Sequence, residues 1–352
     1  MLFNDLNGDQ ARQTIDTEQV FRAYSSARAE FEGSYAGSIA WKTVRGRAYL
    51  YRKRRNAWKS LGPRSPATEA IDHAFRTGRV RAKDRLAGLA RRLDEMAPVN
   101  RALRLGRAPV MAARIMRALA DARLTVSAIE IVGTNALYAY ERLAGVQIAG
   151  AHLATADVDL LLDARASLKL LAPDIAVTGL AGLLQRIDKS FVVMGRESFR
   201  AVNRDGYMVD LITPSPQNRL RTSERTRIGT DASDLNAVEI EGLVWLVNSP
   251  KVRAVVLDER GYPFEMVVPD PRAFALHKAW LAEREDREPL KRRRDAAQGR
   301  LVAGLVADRL PHLRFDDSAL GAIPQALRAR AATLTQFDIG ASGPDLPLAP
   351  DW

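Results

Sequence analysis

The sequence contains no cysteine among its 352 residues. Disulfides, thiolate zinc sites and cysteine nucleophiles are therefore excluded, and a cytoplasmic location is the default expectation. Histidine is also scarce, since the chain has 4 histidines with neither an i,i+4 pair nor the spacing of metal ligands. Any metal that this chain binds must therefore sit on oxygen ligands.

Long hydrophobic runs are missing as well. No stretch approaches the roughly 18 to 20 apolar residues that a membrane span requires. Asp5 and Asp9 stand where a secretory signal would need basic and then apolar residues. The apolar content of 47% is enough for hydrophobic cores, and 352 residues predict two or three folding units. We expect a soluble, cytoplasmic protein without membrane association.

Charge is unevenly distributed along the chain. Residues 1–125 contain 25 Lys or Arg against 12 Asp or Glu, whereas residues 126–352 contain 28 against 30. A region of one charge sign attracts polyanions, and nucleic acid is the commonest polyanion in a cytoplasm. The alternative interpretation is a set of solvated basic helical faces.

The basic third predicts helices and one β-hairpin. Apolar spacing predicts an opening helix over residues 17–32 with Thr17 as its N-cap, and residues 39–52 predict a hairpin. Residues 61–66 are too rich in Pro and Gly to remain regular, and residues 68–124 predict two or three helices. Aromatic residues alternate with cations around the hairpin, so it either stacks bases while neutralising phosphates or packs its tyrosines on a helix. The candidate nucleic-acid-binding residues are Arg45, Arg47, Arg52, Lys53, Arg54 and Arg55.

From residue 125 the pattern changes to alternating strands and helices. Residues 126–132 predict a strand that ends at Gly133, residues 134–144 a helix, and residues 157–162 another strand. An Asp-Gly pair predicts a hairpin between residues 199–202 and 207–212. Further β-rich runs and then a long helical tract follow, at residues 237–247, at residues 253–268, and from Pro271 with an interruption at Pro289.

This order of elements predicts the α+β fold class, with a mixed β-sheet core flanked by helices. The basic helical and hairpin region precedes the core, and a helical region follows it. The predicted boundaries are residues 1–124, 125–270 and 271–340, with a loosely held tail at 341–352.

Two aspartates at the start of a predicted strand supply the first candidate chemistry. Asp157 and Asp159 are two positions apart, so both carboxylates project from one face of the strand. Neighbouring carboxylates repel unless a divalent cation lies between them, and oxygen ligands favour magnesium or manganese. Asp210 lies among apolar residues on the predicted hairpin, where an unmatched charge is costly. Three such carboxylates can hold two metal ions for phosphoryl transfer.

A glycine before a helix supplies the second candidate feature. Gly133, Thr134 and Asn135 lie where the predicted strand meets the helix. Backbone N–H groups and the helix dipole at such a point attract phosphate, and the Thr134 hydroxyl is a further donor. Each feature alone is common, because glycines often precede helices and acidic strand ends are often solvated. The ordered combination of the two features carries the prediction of a nucleotide-binding site.

This combination resembles the DNA polymerase β-like nucleotidyltransferase superfamily, in which a hydrophobic-Gly-Gly/Ser element precedes an acidic-x-acidic pair and a later single acid. The corresponding residues are Val132-Gly133-Thr134, Asp157-Val158-Asp159 and Val209-Asp210-Leu211. Two features depart from the usual pattern, since Thr134 stands in place of Gly or Ser and 24 positions separate Gly133 from Asp157.

The likeness extends over about residues 125–310. It includes GTNALYAYE, ATADVDLLLDAR, NRDGYMVDLI, EIEGLVWL and DPRAFALHKAWLAEREDREPLKRRRD. These segments are similar to a family of bacterial nucleotidyltransferase-like proteins related to the abortive-infection nucleotidyltransferase toxins. The basic extension with WKTVRGRAYLYR and SLGPRSP also looks typical of that family.

The resemblance implies transfer of a nucleoside monophosphate from an NTP to an acceptor hydroxyl, with magnesium as cofactor. Asp157 and Asp159 would bind both ions, and Asp210 would join them at the catalytic ion and assist deprotonation of the acceptor. Lys278 matches a lysine that related toxins use near the triphosphate, and the alternative is an ordinary exposed helical lysine. Asp295 is expected to form a structural salt bridge, and His277 to pack in the core.

The leading functional hypothesis is an RNA-modifying nucleotidyltransferase that acts on tRNA 3′ ends. A toxin-like role would add an antitoxin-like protein as partner. In one alternative the enzyme transfers AMP or another nucleotide to a protein hydroxyl, and the basic third binds an acidic partner. In the other the chain is a catalytically silent nucleic-acid-binding regulator. The presence of all three aspartates favours the enzyme.

Overall fold

The computed structural model describes residues 2–54, 57–165, 173–195, 197–216 and 226–336. Contacts divide the chain into two compact units. We call one the N-terminal unit, which comprises Arg12–Leu105 and Arg260–Pro263, and the other the sheet unit, which comprises Met1–Ala11, Gly106–Glu259 and Phe264–Trp352. Arg55 and the predicted tail at residues 341–352 lie outside the described residues.

The helices and strands are numbered in chain order. The helices are α1 (Gly8–Glu30), α2 (Pro66–Ala102), α3 (Val110–Asp121), α4 (Leu124–Ser127), α5 (Ala136–Ala144), α6 (Pro173–Ile187), α7 (Leu243–Asn248), α8 (Pro271–Glu283), α9 (Pro289–Arg309), α10 (Gln325–Arg328) and α11 (Ala331–Thr335). The strands are β1 (Phe3–Asp5), β2 (Ser38–Val44), β3 (Arg47–Arg54), β4 (Ala57–Pro63), β5 (Ile129–Val132), β6 (Val146–Ile148), β7 (Asp157–Leu162), β8 (Val192–Val193), β9 (Arg200–Val202), β10 (Met208–Pro214), β11 (Val238–Ile240), β12 (Lys251–Leu257) and β13 (Pro263–Pro269). Among the described residues, no helix combines the length and the apolar character that a membrane crossing needs.

The N-terminal unit contains the predicted hairpin, extended by a further strand. β2, β3 and β4 form an antiparallel sheet in that order. Residues 61–63 belong to β4, so the prediction of an irregular segment there is wrong. β4 is an edge strand, where Gly and Pro are tolerated because one side of the strand has no ladder partner.

The opening helix begins earlier than its apolar spacing indicates, and the prediction of Thr17 as its cap is wrong. α1 starts at Gly8, where the Asn7 and Gln10 side chains each accept a hydrogen bond from the other residue's backbone N–H. Thr17 is buried inside the helix, and its hydroxyl donates to Oδ1 of Asn100 at 3.1 Å. The threonine hydroxyl can cap a helix or bond to a distant side chain. The sequence alone does not distinguish these two roles.

The sheet unit is built on a mixed sheet with the order β5-β7-β10-β9-β8, and β11 pairs with β10. β7 runs parallel to β10 and antiparallel to β5, while β9 and β10 form the predicted antiparallel hairpin. α5 and β7 confirm the predicted helix and the predicted second strand. The predicted strand at 126–132 is confirmed only from Ile129, because α4 extends to Ser127. The predicted α+β fold class is confirmed, because this unit combines helices with a sheet that contains both parallel and antiparallel strand pairs.

The predicted β-rich run at 237–247 is confirmed only at its beginning. β11 ends at Ile240, and Gly242 with a φ of 84° turns the chain into α7. Leu243, Leu246 and Val247 then follow helical spacing and are buried. The helical tract from Pro271 and its interruption before Pro289 are as predicted. The Asp270 side chain caps α8 by accepting from the Arg272 N–H at 2.8 Å.

The two faces of the central strands pack into different clusters. On β7, Val158, Leu160 and Leu162 contribute to the larger core, whereas Leu161 belongs to the smaller cluster together with Ile212. This smaller cluster also contains residues of α7, α8 and α10. Because side chains alternate along a strand, the residues two and four positions before Leu161 share its face.

Candidate active site

Four residues lie in one row across the central sheet. The strand register pairs Val132 of β5 with Asp159 of β7, Asp159 with Asp210 of β10, and Asp210 with Arg200 of β9. Residues paired directly across neighbouring strands point to the same face, and neighbouring strands are about 4.8 Å apart. Two carboxylates that are 51 positions apart in the sequence therefore become neighbours on one sheet face.

Asp157 completes an acidic cluster on this face. It lies two positions before Asp159 on β7, and Val158 between them is fully buried on the opposite face. Asp157, Asp159 and Asp210 thus converge, with Leu161 and Ile212 continuing the same two strands into the smaller apolar cluster. The structure brings the three sequence-predicted aspartates together at the start of this face, where the apolar packing ends.

The pKa of Asp159 reflects the crowding of the three carboxylates. Burial, followed by the neighbouring charges of Asp157 and Asp210, raises the pKa of Asp159 to about 7, while the positive charges of Lys278 and Arg200 oppose the rise. A carboxyl group whose charge is disfavoured in this way gains most from a nearby cation. A cation close to Asp159 would therefore stabilise its charged form at neutral pH.

Arg200 is a site residue that the sequence analysis missed. Its Nε donates to Oδ1 of Asp210 at 2.7 Å and its NH2 to Oδ2 at 2.6 Å, which is a bidentate ion pair. This pair satisfies the buried Asp210 carboxylate. The signal in the sequence is weak, because only knowledge of the hairpin register places Arg200 opposite Asp210.

No set of three or more Asp, Glu or His side chains in the described part of the chain is arranged as a metal site. Two of the three carboxylates already accept hydrogen bonds from protein side chains. Arg200 donates to both oxygens of Asp210, and the Thr155 hydroxyl donates to Asp157. The donor chemistry nevertheless fits a hard divalent cation, because the carboxylates supply oxygen and the charged form of Asp159 is disfavoured by burial and by its two acidic neighbours. Asp157 and Asp159 are the ready donors, and Asp210 is a donor only after Arg200 releases it.

Gly133 and Asn135 fix the turn that leads from β5 to α5. Gly133 has a φ of +65°, and an added Cβ would lie 2.1 Å from Oδ2 of Asp159. Only glycine therefore allows the Asp159 carboxylate to lie against this turn. Asn135 Nδ2 donates to the Asp157 backbone oxygen at 2.7 Å, which ties the turn to the first residue of β7.

Thr134 connects the same turn to α9. Its hydroxyl oxygen accepts from NH2 of Arg294 at 3.0 Å and from Nε2 of Gln298 at 3.2 Å. Arg294 also donates to the Ala154 backbone oxygen. Sequence analysis did not single out Arg294 or Gln298, although their spacing of four places them on one face of a helix. Arg294 adds a partly exposed guanidinium to the turn beside the acidic cluster.

Lys278 is buried, so the alternative of an exposed helical lysine is wrong. Its Nζ donates to Oδ1 of Asp295 at 2.6 Å, and Arg287 pairs with the other oxygen of that carboxylate. Asp295 therefore forms the expected salt bridge. Lys278 still acts on the acidic cluster, because its charge opposes the rise in the pKa of Asp159.

His277 packs in the core as expected. It contacts the rings of Trp245 and Trp280. Burial, together with the charge of Lys278, lowers the pKa of His277 to about 3. A buried, neutral histidine among aromatic rings is explained by packing alone, so no catalytic role is assigned to His277.

The candidate nucleic-acid-binding cations divide into two groups. Arg52 donates to the backbone oxygens of Ser34 and Ala36, and Arg54 donates to those of Glu32 and Gly33, so both hold the segment after α1. Arg45 and Arg47 are exposed at the β2–β3 turn, and Lys53 is partly exposed on β3. Arg55 lies outside the described residues.

Replacement of Gly133 by alanine tests the turn. We expect Gly133→Ala to lower the free energy of unfolding by about 1 to 3 kcal/mol through backbone strain. We also expect nucleotide transfer to fall about a hundredfold, because the new methyl group displaces the Asp159 carboxylate. Gly145→Ala is the matched control, since Gly145 has a φ of +67° but no atom within 4 Å of its Cβ position. Equal transfer rates for the two variants would contradict this role for Gly133.

The arrangement is that of an enzyme that transfers phosphoryl groups, with converging carboxylates beside a glycine turn at a helix N-terminus. Residues 110–324 match the model of a protein family described as Nucleotidyltransferase. The match covers more than half of the chain, and the chain belongs to this nucleotidyltransferase family. Transfer of a nucleoside monophosphate is accordingly its general chemistry. No curated protein and no solved structure matches the chain significantly.

Proposed function

We propose that this chain transfers a nucleoside monophosphate from an NTP to a hydroxyl group of RNA. The observation that carries the proposal is the convergence of Asp157, Asp159 and Asp210 on one sheet face beside Gly133. In the proposed reaction the acceptor oxygen forms a bond to the α-phosphorus while the bond to pyrophosphate breaks. The acceptor proton passes to a neighbouring base, for which Asp210 is our candidate.

The proposed cofactor is magnesium or manganese, held by Asp157, Asp159 and Asp210. When bound, the cation would supply Lewis-acid activation of the hydroxyl and charge neutralisation of the leaving pyrophosphate. The support is the oxygen-only donor set and the raised pKa of Asp159. Arg200 is the counter-charge of Asp210 in this structure, and its release would leave a guanidinium next to the phosphates.

The proposed triphosphate-binding residues are Gly133, Thr134 and Asn135 of the turn, with Lys278 acting on the triphosphate from a distance. The backbone of this turn leads into α5 and so presents N–H groups at a helix N-terminus. Arg294 is held at the turn by Thr134 and is our additional candidate for phosphate binding. Lys278 would act through its field from the buried pair with Asp295, because its ammonium is not mobile.

The proposed acceptor is RNA, and tRNA 3′ ends are our specific candidate. The support is the excess of Lys and Arg in residues 1–125, which suits a polyanion. The candidate contacts are the six cations at and near the β2–β3 hairpin: Arg45, Arg47, Arg52, Lys53, Arg54 and Arg55. A toxin-like role with an antitoxin-like partner belongs to the same proposal and rests only on the sequence resemblance.

Labelling identifies the donor and the acceptor in one experiment. The full-length protein is incubated with magnesium, purified tRNA and each α-phosphate-labelled NTP in turn, and then with total cell extract. We expect label on tRNA from one or a few NTPs. Periodate-oxidised tRNA, which lacks the terminal diol, should remain unlabelled if the 3′ end is the acceptor.

Two controls make this result specific. Asp159→Asn should give no label, whereas Asp205→Asn should label as the wild type does, because the Asp205 side chain is 71% exposed at the hairpin turn. Label that resists ribonuclease and is lost with protease would instead assign a protein acceptor. No label in tRNA or extract with any NTP would reject the proposed function.

A further inference from the structure

The antiparallel sheet of the N-terminal unit has one covered face. Ile39 and Leu50 are buried and pack with Phe75 of α2. Trp41 Nε1 donates to Oδ2 of Asp72 on the same helix at 3.1 Å, and the Arg52 guanidinium lies 4.6 Å from the Phe75 ring centroid. The apolar residues and Arg52 of this sheet are therefore used to hold α2.

The opposite face carries alternating cations and aromatic rings. The strand register places Lys53 beside Trp58 and Lys42 beside Tyr49. The Lys42 ammonium lies 3.4 Å from the Trp58 ring centroid and 5.6 Å from that of Tyr51, and the Lys53 ammonium lies 5.6 Å from Trp58. These contacts join all three strands on one side. We call this surface the open sheet face and define it as Lys42, Arg47, Tyr49, Tyr51, Lys53 and Trp58.

The open sheet face is accessible and basic. Trp58 keeps 41% of its surface exposed, and Lys42 and Arg47 are also exposed. β2, β3 and β4 contain no Asp or Glu at any position. A partly exposed tryptophan ring with two lysines over it, on strands without acidic residues, suits a ligand that offers both flat rings and negative charge.

We propose that the open sheet face binds single-stranded RNA, with bases stacked on Trp58 and the tyrosines and with phosphates on Lys42, Lys53 and Arg47. A single strand exposes the flat faces of its bases, whereas a duplex hides them in the stack. A base that stacks on Trp58 displaces the Lys42 ammonium from the ring, and the ammonium then pairs with a phosphate. The inference deepens the proposed function, because it rests on RNA as the acceptor and adds how the RNA is recognised.

Binding without NTP tests this inference separately from catalysis. The full-length protein is titrated into a fluorescein-labelled 12-nucleotide RNA of mixed sequence, and anisotropy is recorded for this strand and for the same strand in a duplex. We expect the single strand to bind more tightly. Trp58→Leu should weaken single-strand binding roughly tenfold through the loss of one stacking site. Trp58→Phe, which keeps a ring, should stay within about threefold of the wild type.

Two further variants separate stacking from charge. Lys42→Gln should weaken binding and reduce the salt dependence by about one counterion. Val44→Ala is the control, since Val44 is 43% exposed on the same sheet face and has no ring or charge. Equal binding of single strand, duplex and heparin, with Trp58→Leu unchanged, would overturn the inference in favour of a general surface for polyanions or acidic proteins.

The same variants in the labelling reaction distinguish the two proposals. Labelled RNA with no effect of Trp58→Leu on binding or transfer would overturn this inference and leave the proposed function in place. Single-strand binding that depends on Trp58, without RNA labelling, would support the open sheet face and reject the proposed acceptor. Loss of both binding and RNA labelling in Trp58→Leu would support both.

Discussion

Asp159→Ala is expected to abolish nucleotide transfer and leave the melting temperature unchanged or higher. Transfer should fall by roughly a thousandfold or more, because several kcal/mol of charge stabilisation at the phosphates would be lost. Stability should not fall, because the Asp159 carboxyl is desolvated beside Asp157 and Asp210. Its removal relieves repulsion between like charges. Steady-state transfer and thermal melting of the same preparation measure the two effects.

The control for this prediction is an aspartate without neighbours of like charge. Asp205→Asn should change neither transfer nor melting temperature, because Asp205 lies exposed beside Arg204 on the hairpin turn. Asp210→Asn tests the third carboxylate of the cluster. It should abolish transfer as Asp159→Ala does, and unlike Asp159→Ala it also breaks the bidentate ion pair with Arg200. Wild-type turnover in Asp159→Ala would exclude the site described above.

Asp295→Ala is expected to have the largest effect on stability. Asp295 is 2% exposed and holds both Lys278 and Arg287. Its removal leaves the Lys278 ammonium buried without a partner, which costs about 3 to 5 kcal/mol. For a chain of this size that loss lowers the melting temperature by roughly 10 °C. Chemical denaturation and calorimetry give the free energy and the temperature.

A double variant tests whether the buried charge is the cause. Lys278→Met combined with Asp295→Leu removes both charges and keeps apolar volume, so it should recover most of the stability that Asp295→Ala loses. Asp286→Ala is the surface control, because Asp286 is 66% exposed in its pair with Arg284. That control should leave the free energy of unfolding nearly unchanged, because solvent screens an exposed ion pair. Equal destabilisation by Asp286→Ala and Asp295→Ala would contradict the claim that the buried ion pair stabilises the protein.

The buried ion pair of Lys278 and Asp295 also affects the electrostatics of the acidic cluster. Lys278 and Arg200 both oppose the rise in the pKa of Asp159, yet each is bound to its own carboxylate. Lys278 is held by Asp295, outside the acidic cluster, so its charge stays in place when the aspartates bind another group. Arg200 is paired with Asp210 inside the cluster, so its position depends on what Asp210 binds. A charge that stays in place costs no reorganisation during a reaction.

Much of the sheet unit followed from local patterns. β7 (Asp157–Leu162) alternates at its start and continues as a short buried apolar run, and α5 is an apolar helix that ends before Gly145. The Asp205-Gly206 turn was visible because this pair favours a tight turn between two β-rich runs. Where local pattern and tertiary packing agree, the element was predicted correctly.

The errors arose where tertiary contacts overrode a local signal. Thr17 has the chemistry of a cap but is buried against Asn100. Gly62 and Pro63 suggest an irregular segment but pair with Leu50 and Tyr49 of β3 at the sheet edge. The alternative for Lys278, an exposed helical lysine, is wrong because the residue is buried beside Asp295. In each case the residue that contacts the mispredicted one is at least ten positions away in the sequence, so a local pattern does not include it.

The sequence by itself determined the three aspartates, the glycine turn and the excess of positive charge in the first third of the chain. These are chemical properties of residues, and their order along the chain is enough to expect phosphoryl transfer. Tertiary structure alone decided that Asp159, Asp210 and Arg200 form one row, because strand register depends on pairing between distant segments. It also decided that Arg52 and Arg54 hold backbone oxygens while Lys42 and Trp58 meet on an open face, because alternation along a strand sends neighbouring residues to opposite sides.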